Sequence, residues 1–573
     1  MDNSPVVLIF ASSGVGLREI TDKLKRGLGD KVFVGDIEKK LCQDPEIASS
    51  LISKGLIKYS ETPTMLKIVG YLPKKKVIEY WKKAISSVFN EFRTSDKPVS
   101  IITGHALYYN KNYREFYSPI DLSEIRKSCK NFSLYIKRIA LLTDDFPDMF
   151  NRLSKDGNLF DTNSLRSYKD KVAERDITLD PKFIDLTWKK DALELIFHWR
   201  YTELILLDNQ TMELGGDFML WGVKNNFNSF QKWITEDVNA IYLSHPISDV
   251  RRNKGTRANK KKWPSIVEEE INKIPTTFKD IAIVMPTAID ELRFEPFQGH
   301  PSGNLADRWP LLSNNEAIFT DSSNINYSDF LSKNVLGMNQ ELEMQLSIIT
   351  YDLRNTVELQ VSARDHMLVH HAKGIIVYRP FWNKSEAAFS EGVRSEIVQW
   401  SRKDSSYDRA VFIHFKDEVK RIICNQKDDF FDQVKKTMQQ MIYQETNIDS
   451  EPLDKIMDVF FLEKHKTNKG ILENEIDSEI YKKVGEKWDG WYLESINYVL
   501  LMRFTYPNSS PDRQMCVVVE NYDELVRKSK SIMDFLNGKS NKTKKFEKTY
   551  VNLVKTQIDV VRESRKVPNQ NVH

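Results

Sequence analysis

The chain has 573 residues, of which 40% are apolar and 11% aromatic; this is ample for burial and too long for one hydrophobic core, so three units are expected. Its 84 basic and 81 acidic residues leave a formal charge of +3, a balance that gives nucleic-acid binding no support, and nucleic acid is not an expected partner. The longest apolar runs are only strand-sized and MDNSPVVLIFASSG carries an early acid, so neither a membrane span nor an export signal is expected, and a cytoplasmic address follows. Cys42, Cys129, Cys424 and Cys516 lie far apart without CxxC spacing, so they read as buried, inert thiols with no metal site among them.

The fold expected is α/β: two Rossmann-like parallel-sheet domains, 1–238 and 239–415, followed by a mainly helical C-terminal region, 416–573. Val6 to Ala11 is a continuous apolar run, followed by SSGVG and the helical pattern LREITDKLKRGLG, which opens a parallel α/β unit. VFVGD, SIITGH and IKRIALLTDD continue the strand pattern at crossover spacing, and ALELIFHWRYTELILLDN reads as a long helix. The pattern changes over Asn225 to Asp237, and there the first boundary is placed. From Ala240 the order repeats: AIYLSHP, a basic loop, a helix around Ile266 to Ile274, and DIAIVMP. After an irregular stretch come a helix around Ser362 to His371, the strand GIIVYRP, the helix GVRSEIVQWSR and the strand RAVFIHF. Beyond residue 416 the periodicity is mostly helical (VKKTMQQMIYQ, LDKIMDVFFL, SINYVLLMRF), with MCVVVEN, Met515 to Asn521, as the one strand.

Three pieces of the second domain fall where an open parallel sheet has its ligand crevice, beyond the carboxyl ends of the strands. YLSHPISDVRR offers backbone N–H groups, hydroxyls and guanidinium forks to an anionic phosphate, through Tyr242, Ser244, Ile247, Ser248 and Arg251. RDHMLVHH places Asp365 on a helix just before a buried strand. FSEGVRSEI places Ser390 and Gly392 at a helix start, with Gly392 permitting close approach, and Glu396 on the first turns beside Arg394. His370 and His371 are given no role, since a polar pair at a helix end is more often structural.

These residues resemble the nucleoside 2-deoxyribosyltransferase superfamily, and within it the 2'-deoxynucleoside 5'-phosphate N-hydrolases, which carry Ser, then Gly-Val, then the nucleophilic Glu as SEGVRSE does here. The resemblance covers about residues 239–415. It implies that Glu396 is the nucleophile of an N-glycosidase passing through a glycosyl-enzyme, and that Asp365 serves the departing base. It further implies that Ser390, Gly392 and the Tyr242 to Arg252 turn hold the 5'-phosphate, with a nucleotide or nucleoside as substrate, no cofactor required, and a homodimer. Two departures are IVQW after the Glu, where the family has small residues, and the long segment between Pro286 and Asp365.

FASSGVGLREI resembles a degenerate P-loop. Ser12, Ser13, Gly14 and Gly16 form an amide-rich turn suited to a phosphate, so a nucleotide at this domain is one expectation. Leu17 and Arg18 stand where the P-loop lysine and hydroxyl would be, which disfavours phosphoryl transfer. The rival readings are a nucleotide kinase with an unorthodox phosphate loop, and a non-catalytic nucleotide-sensing adaptor of a defence or stress complex.

Overall fold

A computed structural model describes residues 4–155, 159–160, 162–173, 181–214, 217–245, 263–289, 363–378, 391–403, 408–415, 514–519 and 521–539. The chain forms two compact units, Met1–Asp237 with Val284–His371, and Val238–Ile283 with Ala372–His573. The architecture is α/β with parallel sheets. No helix among the described residues is long and apolar enough to cross a membrane.

The first unit opens with β1 (Ser4–Ala11), α1 (Leu17–Leu28), β2 (Val32–Asp36), α2 (Ile37–Cys42), α3 (Pro45–Ser53), α4 (Met65–Tyr71), α5 (Lys74–Arg93) and β3 (Val99–Gly104). A small antiparallel hairpin, β4 (Tyr108–Asn110) with β5 (Glu115–Tyr117), precedes α6 (Leu122–Asn131) and β6 (Leu134–Thr143). Then come α7 (Phe146–Leu153), α8 (Thr162–Ala173), α9 (Pro181–Leu214), β7 (Asp217–Gly222) and α10 (Phe227–Thr235). The strand order is β2-β3-β1-β6-β7, with every pair parallel. β1 is central and buried from Val6 to Ala11, which is why its sequence is an unbroken apolar run rather than an alternating one.

Helices begin where short polar side chains take up orphan amides: Asp36 accepts from the Lys39 N–H (2.9 Å) at α2, and Asp121 from Ser123 and Glu124 at α6. α5 buries Val77, Trp81, Ala84, Val88 and Phe92, a stripe at three- and four-residue spacing that packs one face and leaves the lysines on the other. α9, 34 residues long, confirms the long helix read from the sequence, and its buried stripe carries unusual polar members: Arg200, Glu203, Asp208 and Thr211. The segment read as a boundary, 225–237, holds α10, and the apolar DFMLWG before it forms the edge strand β7, which the sequence reading passed over.

The second unit contains β8 (Ala240–Ser244), β9 (Ala282–Val284), β10 (Gly374–Tyr378), β11 (Arg409–Phe415) and β12 (Gln514–Val519), in the order β12-β11-β10-β8-β9. Helices Trp263–Thr277, Glu391–Ser401 and Tyr522–Leu536 accompany these strands. The division expected at 415 differs from this arrangement. β12 pairs in parallel with β11 from Ala410↔Gln514 to Phe415↔Val519, so the strand expected within a separate 416–573 region satisfies the backbone groups on the outer side of β11 and belongs to the second sheet. The helix Tyr522–Leu536, capped by Asn521 through the Glu524 N–H (3.0 Å), buries Leu525, Ile532, Phe535 and Leu536 against β11 and β12. The helices expected at VKKTMQQMIYQ, LDKIMDVFFL and SINYVLLMRF lie outside the described residues.

Of the two cysteines described in the first unit, Cys129 is buried and Cys42 half-buried, and in both the surroundings disfavour the thiolate. Burial pushes Cys42 up to about 11, with Glu38 adding to it, and burial pushes Cys129 up to about 12.

Candidate functional sites

In the second sheet the chain leaves β8 outward to β9, then returns to the other side of β8 and runs on through β10, β11 and β12. β8 and β10 therefore flank the point where the winding reverses, and the carboxyl ends of strands at such a point open the crevice in which doubly wound sheets bind ligands. Ser244 pairs with Val377 at that edge. Tyr242 and Ser244 are two residues apart on one strand, so both side chains project from the same face, and both are fully buried.

Glu396 lies on the helix Glu391–Ser401, among Val393, Ile397 and Trp400, which are 2%, 0% and 0% exposed. It is on the buried stripe, not the solvent face, and is itself 5% exposed. A carboxylate on such a stripe must find donors. The Tyr242 hydroxyl donates to Glu396 Oε1 at 2.8 Å, and the Ser244 hydroxyl donates to Oε2. Three residues singled out in the sequence thus meet in one hydrogen-bonded group at the reversal point.

The remaining members of that constellation fare differently. Ile247, Ser248, Arg251 and Ser390 lie outside the described residues, as does the side chain of Arg394. Gly392 lies exposed in the first turn of the helix, and among the described residues nothing lies within 4 Å of where its Cβ would stand. Asp365, on the helix spanning 363–371, falls in the first unit. Its Oδ1 accepts from Arg364 Nε at 2.9 Å and Nη2 at 2.7 Å, while Arg364, 4% exposed, also donates to the Ile289 carbonyl. This carboxylate compensates a buried guanidinium, which would otherwise be stranded.

At the carboxyl edge of the first sheet, the turn after β1 has Gly14 at φ 86° and Gly16 at φ 83°, left-handed conformations that L side chains avoid. The Arg152 guanidinium donates to the Gly14 carbonyl (2.9 Å) and to Asp144 Oδ2 (2.8 Å). A Cβ at Gly14 would stand 3.0 Å from the Met149 carbonyl oxygen, so the turn is pressed onto α7. Ser12 is buried and Ser13 half-buried.

Beyond β6, ligand atoms of Asp144, Asp145 and Asp148 lie within 4.8 Å of one another. Lys224, just after β7, puts its ammonium 2.6 Å from Asp145 Oδ2, 2.6 Å from Asp148 Oδ2 and 3.7 Å from Asp144 Oδ1. Burial pushes Asp145 up to about 6 against the pull of Lys224, while Asp148 stays below the usual carboxylate range because Lys224 outweighs burial.

Beyond β3, His105 contacts Glu38, which also accepts from the Tyr108 hydroxyl at 3.3 Å. Burial opposes the charge on His105, but Glu38 and then Glu203 outweigh it and raise the imidazole to about 9. Glu203, on the buried stripe of α9, is fully buried and accepts the Ala106 N–H at 3.1 Å; burial pushes it up to about 7. The sequence reading quoted SIITGH and the Asp144-Asp145 pair but gave none of these groups a role. A charged residue on the apolar stripe of a long helix was the available signal for Glu203. His371 stands 3.1 Å from Asp208 and against the Phe218 ring.

Comparison with protein-family models and with curated proteins returned no match for this chain.

Proposed function

We propose that the second unit is an N-glycosidase of the carboxylate-nucleophile class. Within that class, the substrate favoured is a nucleoside 5'-phosphate, with a 2'-deoxynucleoside 5'-phosphate first among candidates. The observation that carries this reading is the Glu396 carboxylate, buried at the reversal point of the second sheet and tied by the Tyr242 and Ser244 hydroxyls.

A carboxylate has room for about four hydrogen bonds, so two hydroxyls can fix its direction and leave lone pairs for attack. Glu396 would add to the anomeric carbon as the carbon–nitrogen bond breaks. The base leaves with the bonding electron pair and takes up a proton from solvent, and water then opens the glycosyl ester to release the sugar, regenerating the carboxylate and returning a proton to solvent. Asp365 is left out of this scheme because its charge is already committed to Arg364. Tyr242 and Ser244 are assigned to hold the nucleophile, and Ser390, Ile247, Ser248, Arg251, Gly392 and Arg394 remain the candidates for grasping the nucleotide.

The test is incubation of the full chain with ribo- and deoxyribonucleosides and their 5'-phosphates, followed by chromatography for free base. Wild-type protein should release base from at least one, and Glu396→Gln should abolish release while retaining binding. Undiminished release by Glu396→Gln, or no release from any compound, would overturn the proposal.

A further inference from the structure

The nearly even charge balance of the whole chain hides a local imbalance on the first unit, in a region that plays no part in the glycosidase reading. Three segments meet there at the C-terminal end of α4. The Lys54 ammonium, just past α3, donates to the Tyr71 carbonyl at 2.8 Å. The side-chain amide of Asn112, at the tip of the β4–β5 hairpin, donates to the Gly70 carbonyl at 2.7 Å. Lys74, which opens α5, lies 5.4 Å over the ring of Tyr117 on β5. These contacts join the loop 54–61, the start of α5 and the hairpin tip into one continuous surface.

Two features of that surface call for a partner, and the first is charge. Lys54, Lys58, Lys74, Lys75, Lys111 and Arg114 are exposed and form no ion pair among the described residues. Glu61 and Glu79 are met by Lys67 (3.6 Å) and Lys76 (3.3 Å), which leaves Glu115 as the exposed acid of the hairpin. Lys74, Lys75 and Lys76 open α5, whose first turn has no acidic residue, so they repel the positive end of its dipole instead of offsetting it. That arrangement costs the protein stability by itself, and a polyanion removes the cost. The second feature is stacking area. Tyr59, Tyr113 and Tyr71 are 93%, 76% and 43% exposed, and no large aliphatic side chain stands out beside them. Tyr113 is presented by a fixed turn: the Asn110 side-chain carbonyl accepts the N–H groups of Asn112 (3.0 Å) and Tyr113 (3.3 Å), and Arg114 is held at φ 53°, a left-handed conformation uncommon for any residue but glycine.

We infer that this surface binds single-stranded nucleic acid, with its lysines and Arg114 following the phosphates and Tyr59, Tyr71 and Tyr113 stacking on unpaired bases. Cations interleaved with open aromatic rings are what such a strand requires, since phosphate contacts supply affinity without regard to sequence and every base has a face to stack. A duplex keeps its bases stacked on one another, so it meets the cations alone. An anionic bilayer also meets the cations, but the surface has no exposed aliphatic side chain to enter it. The whole-chain charge, from which no nucleic-acid partner is expected, averages this patch against acids elsewhere.

Fluorescence anisotropy on the full chain decides it, with labelled oligo-thymidine and oligo-uridine of about 20 nucleotides, a duplex of the same length, and flotation with phosphatidylserine vesicles as a further arm. Saturable binding of at least one single strand is expected, tighter than that of the duplex, and the tighter of the two strands assigns DNA or RNA. Log affinity should fall against log salt by roughly 0.7 for each phosphate contact. Tyr59→Ser and Tyr113→Ser alter open side chains and retain every cation, so they separate stacking from general attraction; each should weaken binding about fivefold or more. Lys74→Gln combined with Lys75→Gln should lower the salt slope by roughly 1.4, the share of two contacts. Should one variant fail to fold by circular dichroism, the other two carry the test. No binding of either strand, a duplex bound as tightly or more so, binding of vesicles alone, or wild-type affinity and salt slope in the folded variants overturns the inference.

Discussion

Lys224→Met keeps the aliphatic stem and removes the only ammonium within 4 Å of Asp145 and Asp148 among the described residues. Asp144 and Asp145 are fully buried, and stranding a buried charge by deleting its partner costs roughly 3–5 kcal/mol. Two features reduce that figure. Arg152 still meets Asp144 at 2.8 Å, and the lysine side chain is 35% exposed, so water screens part of the loss. About 2–3 kcal/mol is the reasoned cost at pH 8, which for a unit of this size lowers Tm by roughly 3–5 °C. The loss should shrink at pH 5, because Asp145, held near 6, takes up a proton and relieves the repulsion. Three carboxylates so close also give the variant an oxygen-rich cluster, and millimolar Ca²⁺ should restore part of its stability while leaving the wild type unmoved. Differential scanning calorimetry at both pH values reads this directly. A variant as stable as wild type at pH 8, or equally destabilised at pH 5, would show that Lys224 does not carry the compensation.

Tyr242→Phe retains the buried ring and deletes the 2.8 Å contact to Glu396. A hydrogen bond to a charged group contributes about 1.5–3 kcal/mol, so kcat for base release should fall roughly 10- to 100-fold with the fold intact, and a change under twofold would deny the tyrosine a positioning role. The first unit should also lose stability as pH rises. Glu203, raised from 4.5 to about 7, contributes stability that is complete below 4.5 and gone above about 7; His105, raised from 6.5 to about 9, contributes stability complete below 6.5 and lost through about 9. Melting curves between pH 6 and pH 10 should therefore fall, and the His105→Gln curve should be flatter above pH 7; parallel curves would refute this account.

Local grammar carried much of the architecture. The unbroken apolar run of β1, the length of α9 and the strand RAVFIHF could all be read because continuous burial or helical spacing writes itself into neighbouring residues. Partnerships between distant segments could not. MCVVVEN was visible as a strand, but nothing in its composition says that its partner is Arg409–Phe415. DFMLWG was missed because four apolar residues between an aspartate and a glycine have no period to mark them. At the Glu396 group, the alternation of Tyr242 and Ser244 and the stripe Val393, Ile397, Trp400 were both in the sequence; that the two faces meet was not. Asp365 illustrates the opposite hazard, a carboxylate chosen for its place before a strand and found paired with its own neighbour, Arg364. Lys224 was invisible for a related reason: the acids lie together in DDFPD, while the cation among them follows another strand.

The interleaving of the two units governs how this protein can emerge from a ribosome. The first unit takes in Val284–His371 after the chain has already begun the second at Val238, and the second sheet waits for Gln514–Val519 before its outermost strand is in place. Neither unit is complete when its first strands leave the exit tunnel. During that interval the exposed flank of Arg409–Phe415 offers free backbone groups to any extended peptide nearby. A nascent chain halted near residue 415 should thus be a substrate for chaperones and prone to self-association, whereas one that has cleared residue 540 should not.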